Sequence, residues 1–165
     1  MSRRLRARCP SARVISVGQV YGRALAFSKR SVDGSAKATL VTSNAKDARA
    51  YGVLFEIIVA ERAALDMAEG CGAGYRRDDD LCVTVAGGRQ GRQDVRASTY
   101  IATAVAIDLP VFDWYRDLVL AGAHEHKLPA EWIAALDGLV VIADPNPLRA
   151  SRLAALSILE KQRAA

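Results

Sequence analysis

The stretch AYGVLFEIIVAERAALDMAEG, residues 50–70, changes its hydrophobic rhythm half-way along. Ala50–Val59 is a near-continuous apolar run of the kind that buried β-strands carry. Ala60–Ala68 then spaces its apolar residues as a short helix does, and Gly70 stands where a helix C-terminus favours glycine. A buried strand running directly into a short helix is the pivot of the chain. Strand signals lie before it and mostly helix signals lie after it.

Upstream, Val14–Tyr21 reads as a strand, rich in β-branched residues and closed by Gly22. Ala24–Ser28 and Ala36–Thr42 read as two more, with a turn at Asp33-Gly34. Residues 2–8 form an expected short basic helix, stopped by Pro10. Downstream, Gly70–Gly74 and the acidic triplet Asp78–Asp80 read as a loop. Leu81–Val85 and Arg96–Thr103 then pair as a hairpin around Gly87, Gly88 and Gly91. Pro110 suits a first helical position, and a helix from there to about Gly122 puts Val111, Tyr115, Leu118, Val119 and Gly122 on one face. Pro129–Leu139 is a second helix with Trp132, Ile133 and Leu136 inward. Asp144–Pro147 breaks the chain, and Leu148–Arg163 reads as a terminal amphipathic helix. Strands first, then a mixture, then helices argue for an α+β fold and against a regular βαβ alternation.

The totals exclude several classes. A length of 165 residues suits one domain with one sizeable core. With 51% hydrophobic and 25% charged residues, the chain has a globular composition and not a disordered one. The longest apolar runs, Val53–Ile58 (broken by Glu56) and Gly138–Ala143, fall far short of the roughly 20 residues that span a bilayer. The net charge of +5 has an address: residues 1–13 hold five arginines (Arg3, Arg4, Arg6, Arg8, Arg13) and no acid, and the remainder is neutral. That run is followed by no apolar segment, so it is not read as a secretory signal. Cys9, Cys71 and Cys82 are odd in number and contain no C-x-x-C pair, which favours free thiols in a reducing cytoplasm over a disulfide framework or a zinc site.

Glu69 is the residue that stands out chemically. It lies at the C-terminal end of the short helix, facing the negative end of the helix dipole, where a carboxylate costs about 0.3–1 kcal/mol and lysine or arginine is the usual choice. A carboxylate so placed beside a Gly-rich loop is a candidate general base; its bland alternative is a solvated glutamate before a cap glycine. Asp66 reads as a structural, helix-end carboxylate. His124-Glu125-His126 lacks the i,i+4 spacing of a helical zinc pair and reads as a solvated helix end. Asp78–Asp80, preceded by Arg76 and Arg77, reads as a charged turn, and Gly70–Gly74 fits no phosphate-loop spacing.

Several elements in order resemble one family. They are Gly22-Arg23-Ala24-Leu25-Ala26-Phe27, Ala36-Lys37-Ala38-Thr39-Leu40, Tyr51-Gly52-Val53-Leu54-Phe55, Leu65-Asp66-x-x-Glu69-Gly70 with Tyr75, then Thr99-Tyr100, Pro110, Tyr115 and Gly122-Ala123-x-Glu125-x-x-Leu128-Pro129. Together they look like the γ-glutamylcyclotransferase-like (AIG2-like) family. The resemblance implies a small mixed β-barrel with helices packed on it, over residues 1–143, with 144–165 a C-terminal helical extension. It implies cyclisation of a γ-glutamyl amide to 5-oxoproline with release of an amine, a transferase or lyase reaction needing no metal or cofactor. Glu69 takes the family's acid/base position, and Tyr75 and Tyr115 match pocket-side tyrosines, each with the competing reading of a core aromatic whose hydroxyl is satisfied.

One departure stands beside this. The family supplies part of its pocket from an N-terminal strand and a Y-G-S-N loop, and this sequence opens at Met1-Ser2-Arg3-Arg4, where that loop would just have ended. Either the start is assigned late, the favoured reading, or the strand and loop are lacking and the protein is a weak or inactive catalyst serving as a binding protein. A barrel without that strand would expose an edge that invites self-association. The third class, a basic nucleic-acid binder, is disfavoured because no aromatic interleaves with the arginines and no groove-reading motif follows. The expected partner is a small γ-glutamyl substrate, with neither nucleic acid nor membrane.

Overall fold

The computed structural model describes residues 1–87 and 91–164. Its elements are α1 (Ser2–Arg6), β1 (Arg13–Tyr21), β2 (Arg23–Arg30), β3 (Ala36–Thr42), β4 (Arg49–Glu56), α2 (Arg62–Glu69), β5 (Tyr75–Gly87), β6 (Gly91–Ala102), α3 (Asp113–Glu125), α4 (Ala130–Asp137) and α5 (Ala150–Arg163). A single 3-10 turn, Val59–Glu61, joins β4 to α2. The fold is α+β. Gly88, expected in the β5–β6 turn, lies outside the described residues.

The strands form an antiparallel four-stranded sheet in the order β4-β1-β5-β6 and a two-stranded sheet of β2 and β3. The second sheet leans on the end of β6: Arg30 N donates to Ala104 O at 3.0 Å, Ala106 N to Ser28 O at 2.8 Å, and Ala102 N to the Thr39 hydroxyl at 2.9 Å. The strands therefore curl round as in the expected barrel, but as two sheets without a continuous ring of ladder bonds.

Two expected boundaries move. Residues 75–80 are strand, not loop, because the turn after α2 is already complete when Tyr75 O accepts from Gly72 N at 2.8 Å. The acidic triplet then lies within β5, where the pairing with β6 slips between Asp78 and Leu81. Arg62 of α2 and Arg77 of β5 itself pair with Asp79, and Arg96 of β6 with Asp80, so charge that suggested a turn is answered by neighbouring cations. Likewise α3 begins at Asp113, not Pro110. Pro110–Phe112 is extended: Pro110 O accepts from Ala36 N at 2.8 Å, and Val111 O from Ile142 N at 3.0 Å.

Apolar side chains gather in three places. Leu81, Val83 and Val85 of β5 face Val20, Leu40 and Leu54 between the sheets. Ala123, Leu128 and Leu136 join α3 and α4 to the strands. Phe112, Trp114, Leu118, Ala155 and Leu159 pack α5 onto α3. That last contact is locked by Asp144, which accepts from Trp114 Nε1 at 2.9 Å and from Arg149 Nε at 2.7 Å.

Candidate functional site

Helix α2 delivers Glu69. Gly70 ends the helix at φ 71°, ψ 40°, a left-handed conformation that glycine adopts without strain. Gly70 N bonds Met67 O and Cys71 N bonds Asp66 O at 2.9 Å, so the last turn is closed and Glu69 has a fixed backbone. Asp66, one turn earlier, staples α2 to the sheet by accepting the Tyr100 hydroxyl at 2.7 Å and pairing with Arg77. Those two partners hold the Asp66 carboxyl below its ordinary range. Asp66 is therefore committed to structure, as its sequence context suggested.

The last turn of α2 carries no basic residue of its own. The positive charge arrives from the chain's opening segment: the Arg8 guanidinium grips Glu69 Oε1, with both side chains partly exposed. Among the described residues Oε2 accepts no hydrogen bond and is the oxygen left for another molecule. Two anchors fix Arg8 there. On one side, Ser11 N and Oγ donate to the Glu61 carboxylate at the start of α2, and Ile58 N donates back to Ser11 Oγ at 3.0 Å.

On the other side, α1 docks on α3. Ser2 N donates to Glu125 Oε2 at 3.1 Å, and Ser2 Oγ lies 2.9 Å from His126 Nε2. Gly122 makes room for this, since a Cβ there would fall 2.8 Å from the Met1 nitrogen. This corrects the reading of His124-Glu125-His126 as a solvated helix end. His124 is exposed, but the His126 side chain is only 9% exposed and stands edge-on to the Phe55 ring. The G-A-x-E element is thus a docking pad for α1.

Tyr75 and Tyr115 meet on one peptide. Tyr75 donates its hydroxyl proton to Ala38 O at 2.8 Å, while the Tyr115 oxygen accepts from Ala38 N at 2.9 Å. Both phenols are pushed upward from their ordinary value, first by burial; Glu69's charge adds to each, and Arg4's opposes it. The two hydroxyls therefore differ in what they have left. Tyr75 has spent its proton and can still accept; Tyr115 has used a lone pair, and its proton is uncommitted among the described residues.

Next to this constellation is an apolar groove of about 720 Å³ between the sheets, lined among others by Leu5, Leu40, Leu65, Leu81 and Tyr100. Leu65 and Glu69 are four residues apart on α2, and Leu5 and Arg8 three apart on the opening segment, so each pair shares a face. Arg8 and Glu69 do not line the groove themselves, but each lies three or four residues along the chain from one that does.

The family model described as AIG2-like matches residues 49–136, more than half of the chain. The chain belongs to the AIG2-like family. Glu69, Tyr75 and Tyr115 fall inside the matched span, whereas Arg4 and Arg8 precede it. No curated protein matches the sequence. Among solved structures, it is similar to one titled gamma-glutamyl cyclotransferase, with a TM-score of 0.82 and 20% identity over 98% of this chain and 92% of the other. An uncharacterized protein from Homo sapiens gives 0.80 and 20% identity over 95% and 92%. YkqA from Bacillus subtilis gives 0.65 and 17% identity over 86% of this chain but 50% of its own. At these identities the likeness is one of fold.

The charge of Glu69 reaches both Tyr75 and Tyr115, and the structure adds Arg8, a residue that the sequence places only in a short basic helix. Its signal was present: the acidic end of α2 lacks a local cation, and the only concentrated positive charge in the chain lies at residues 3–13.

Proposed function

We propose that this AIG2-like protein is a γ-glutamylcyclotransferase, and that Glu69 is its general acid/base. The observation that carries the reading is a single carboxylate with one oxygen held by Arg8 and the other unbonded, beside two tyrosines, in this fold. The chemistry asks for little more. A γ-glutamyl amide holds its own nucleophile, the α-amino group, at the distance that closes a five-membered ring, so proximity is built into the substrate. At neutral pH that group is ammonium and cannot attack.

Glu69 Oε2 removes one ammonium proton; the freed nitrogen then bonds to the γ-carbonyl carbon, whose electron pair moves onto oxygen. As this intermediate collapses, the leaving nitrogen takes the proton held by Glu69 and its bond to the carbon breaks; the freed carboxylate then takes the second proton from the ring nitrogen, leaving a neutral lactam, and passes it to the amine, which departs as ammonium. The products are 5-oxoproline and an amine. The developing oxyanion needs a preorganised donor, and the uncommitted Tyr115 hydroxyl is the phenol able to donate to substrate; Tyr75, its proton spent on Ala38, serves as an acceptor. A small-molecule site in a cytoplasmic protein is the setting this reading supports, and the unpaired Cys9, Cys71 and Cys82 suit it.

The test is release of 5-oxoproline from γ-glutamyl amino acids and γ-glutamylamines. Glu69→Gln keeps the shape and removes the base; activity is expected to fall by about 10²–10⁴-fold. Undiminished turnover in that variant would overturn the mechanism. The Arg8–Glu69 contact favours a second reading, a binding protein in which the carboxylate is permanently occupied. It predicts binding of 5-oxoproline with no turnover of any γ-glutamyl amide.

A further inference from the structure

Arg4 is the charged group that the proposed site leaves unexplained. Met1 packs with Tyr115 on the Phe112–Trp114–Leu118 cluster, and Arg8, at the other end of the segment, holds Glu69. Arg4 lies between them in the chain, within α1, three residues after Met1 and four before Arg8. The charges that bear on its guanidinium are those of Arg8, Tyr115, Glu69 and Tyr75, the groups of the constellation itself. It is half-buried, and among the described residues it makes no hydrogen bond and no ion pair.

Two other half-buried cations are paired from within the chain. Lys37 is paired with Asp33 at 2.8 Å, and Arg149 with Asp144 at 2.7 Å. A guanidinium offers five donors in a planar fork that matches a carboxylate, and desolvating one without a partner is unfavourable unless something else completes it. A γ-glutamyl substrate brings the missing group. Its α-carboxylate and its α-amino nitrogen are substituents of the same carbon, so when the amine reaches Glu69 Oε2 the carboxylate must lie close by. Arg8 is already committed to Glu69 Oε1, which leaves Arg4 as the adjacent fork. Lys29, whose Nζ lies 5.0 Å from the centroid of the Tyr75 ring, adds positive charge on the same side.

We propose that Arg4 is the receptor for the α-carboxylate of the γ-glutamyl unit and makes the site selective for a free α-carboxylate. The inference rests on the cyclotransferase reading of Glu69. It extends that reading to a residue outside the span matched by the family model.

Calorimetric titration of the full chain with 5-oxoproline and with 5-oxoprolinamide, its neutral carboxamide, separates the two claims. Wild type is expected to bind the acid at least about tenfold more tightly than the amide, a typical effect of one charge-assisted pair. In Arg4→Gln that ratio falls towards one, and Arg4→Lys retains part of it. In turnover, Arg4→Gln raises KM for γ-glutamyl amides much more than it lowers kcat. Its melting temperature is expected to equal or exceed that of wild type, because the variant removes an unpaired buried charge. An unchanged acid-to-amide ratio in Arg4→Gln overturns this inference and leaves the reading of Glu69 intact. Collapse of the fold in both Arg4 variants also overturns it, since Arg4 is then structural. If wild type neither binds 5-oxoproline nor forms it, the cyclotransferase reading fails and the inference fails with it.

Discussion

Two charged clusters bear on Tyr115, and they are built differently. In one, the Asp33 and Lys37 side chains are 8% and 14% exposed and bond at 2.8 Å. Asp33 also accepts from Ser35 N and Oγ, and Lys37 Nζ stands 4.5 Å from the Trp114 and 4.6 Å from the Tyr115 ring centroids. Among the described residues both Asp33 oxygens are bonded, and Lys37 donates to Asp33 and to Ser35 Oγ over the aromatic rings. In the other cluster Arg8 holds one oxygen of Glu69, the second oxygen is unbonded, and Arg4 has no partner among the described residues. A closed network stabilises and specifies a fold, whereas an open one keeps bonding capacity for a molecule that is not part of the chain.

The contrast breaks first at Glu69. Glu69→Gln should abolish nearly all turnover while the melting temperature hardly moves, since a partly exposed ion pair contributes at most about 1 kcal/mol. Asp33→Ala should do the reverse. It strips Lys37 of its counter-ion and should lower unfolding free energy by about 3 kcal/mol in denaturant titration, with turnover retained at temperatures where the protein stays folded. If the two variants behaved alike, the distinction between open and closed clusters would be lost.

A smaller effect sharpens the comparison by moving one cluster and not the other. Gly122→Ala places a Cβ against the Met1 nitrogen and pushes α1 off α3. Strain of about 1–3 kcal/mol is expected, together with a fall in kcat/KM, because Arg4 and Arg8 travel with α1. The Asp33–Lys37 pair is untouched.

The smallest effect is in pH. His126 is held below its ordinary value first by burial and then by the terminal amine and Arg6, with Glu125 opposing. The unfolded chain takes up that proton near pH 6.5 and the folded chain only lower, so stability is full above about 6.5 and declines as pH falls through the folded value. Melts of wild type and His126→Gln between pH 7 and 5 should diverge, with the wild type more pH-dependent. At lower pH the Asp144 carboxyl, held down to about 2 chiefly by Arg149, adds stability that is lost as pH drops from the ordinary carboxylate range towards that value.

Much of the fold and part of the site are legible in the amino-acid sequence. The rhythm change inside residues 50–70 locates β4 and α2, and the helix stop at Gly70 places Glu69 at a helix end. The start of β5 is hidden because its first six residues are charged or polar apart from Tyr75, a composition that resembles a loop until Arg62 on α2, Arg77 on β5 and Arg96 on β6 are seen to pair with the acids. Arg8 is hidden for a different reason. No local rule connects residue 8 to residue 69.

The sequence by itself determined the α+β order of elements, the helix-end carboxylate and the address of the positive charge, because each depends on neighbours a few residues apart. Tertiary structure decided where that charge is placed. Docking of α1 on Gly122, Glu125 and His126 brings part of the basic run to Glu69, and the Ala38 peptide fixes which tyrosine hydroxyl is left free to donate. These contacts join residues separated by between about 35 and 125 positions. Only packing can set such distances, because periodicity and propensity act over one or two turns of chain.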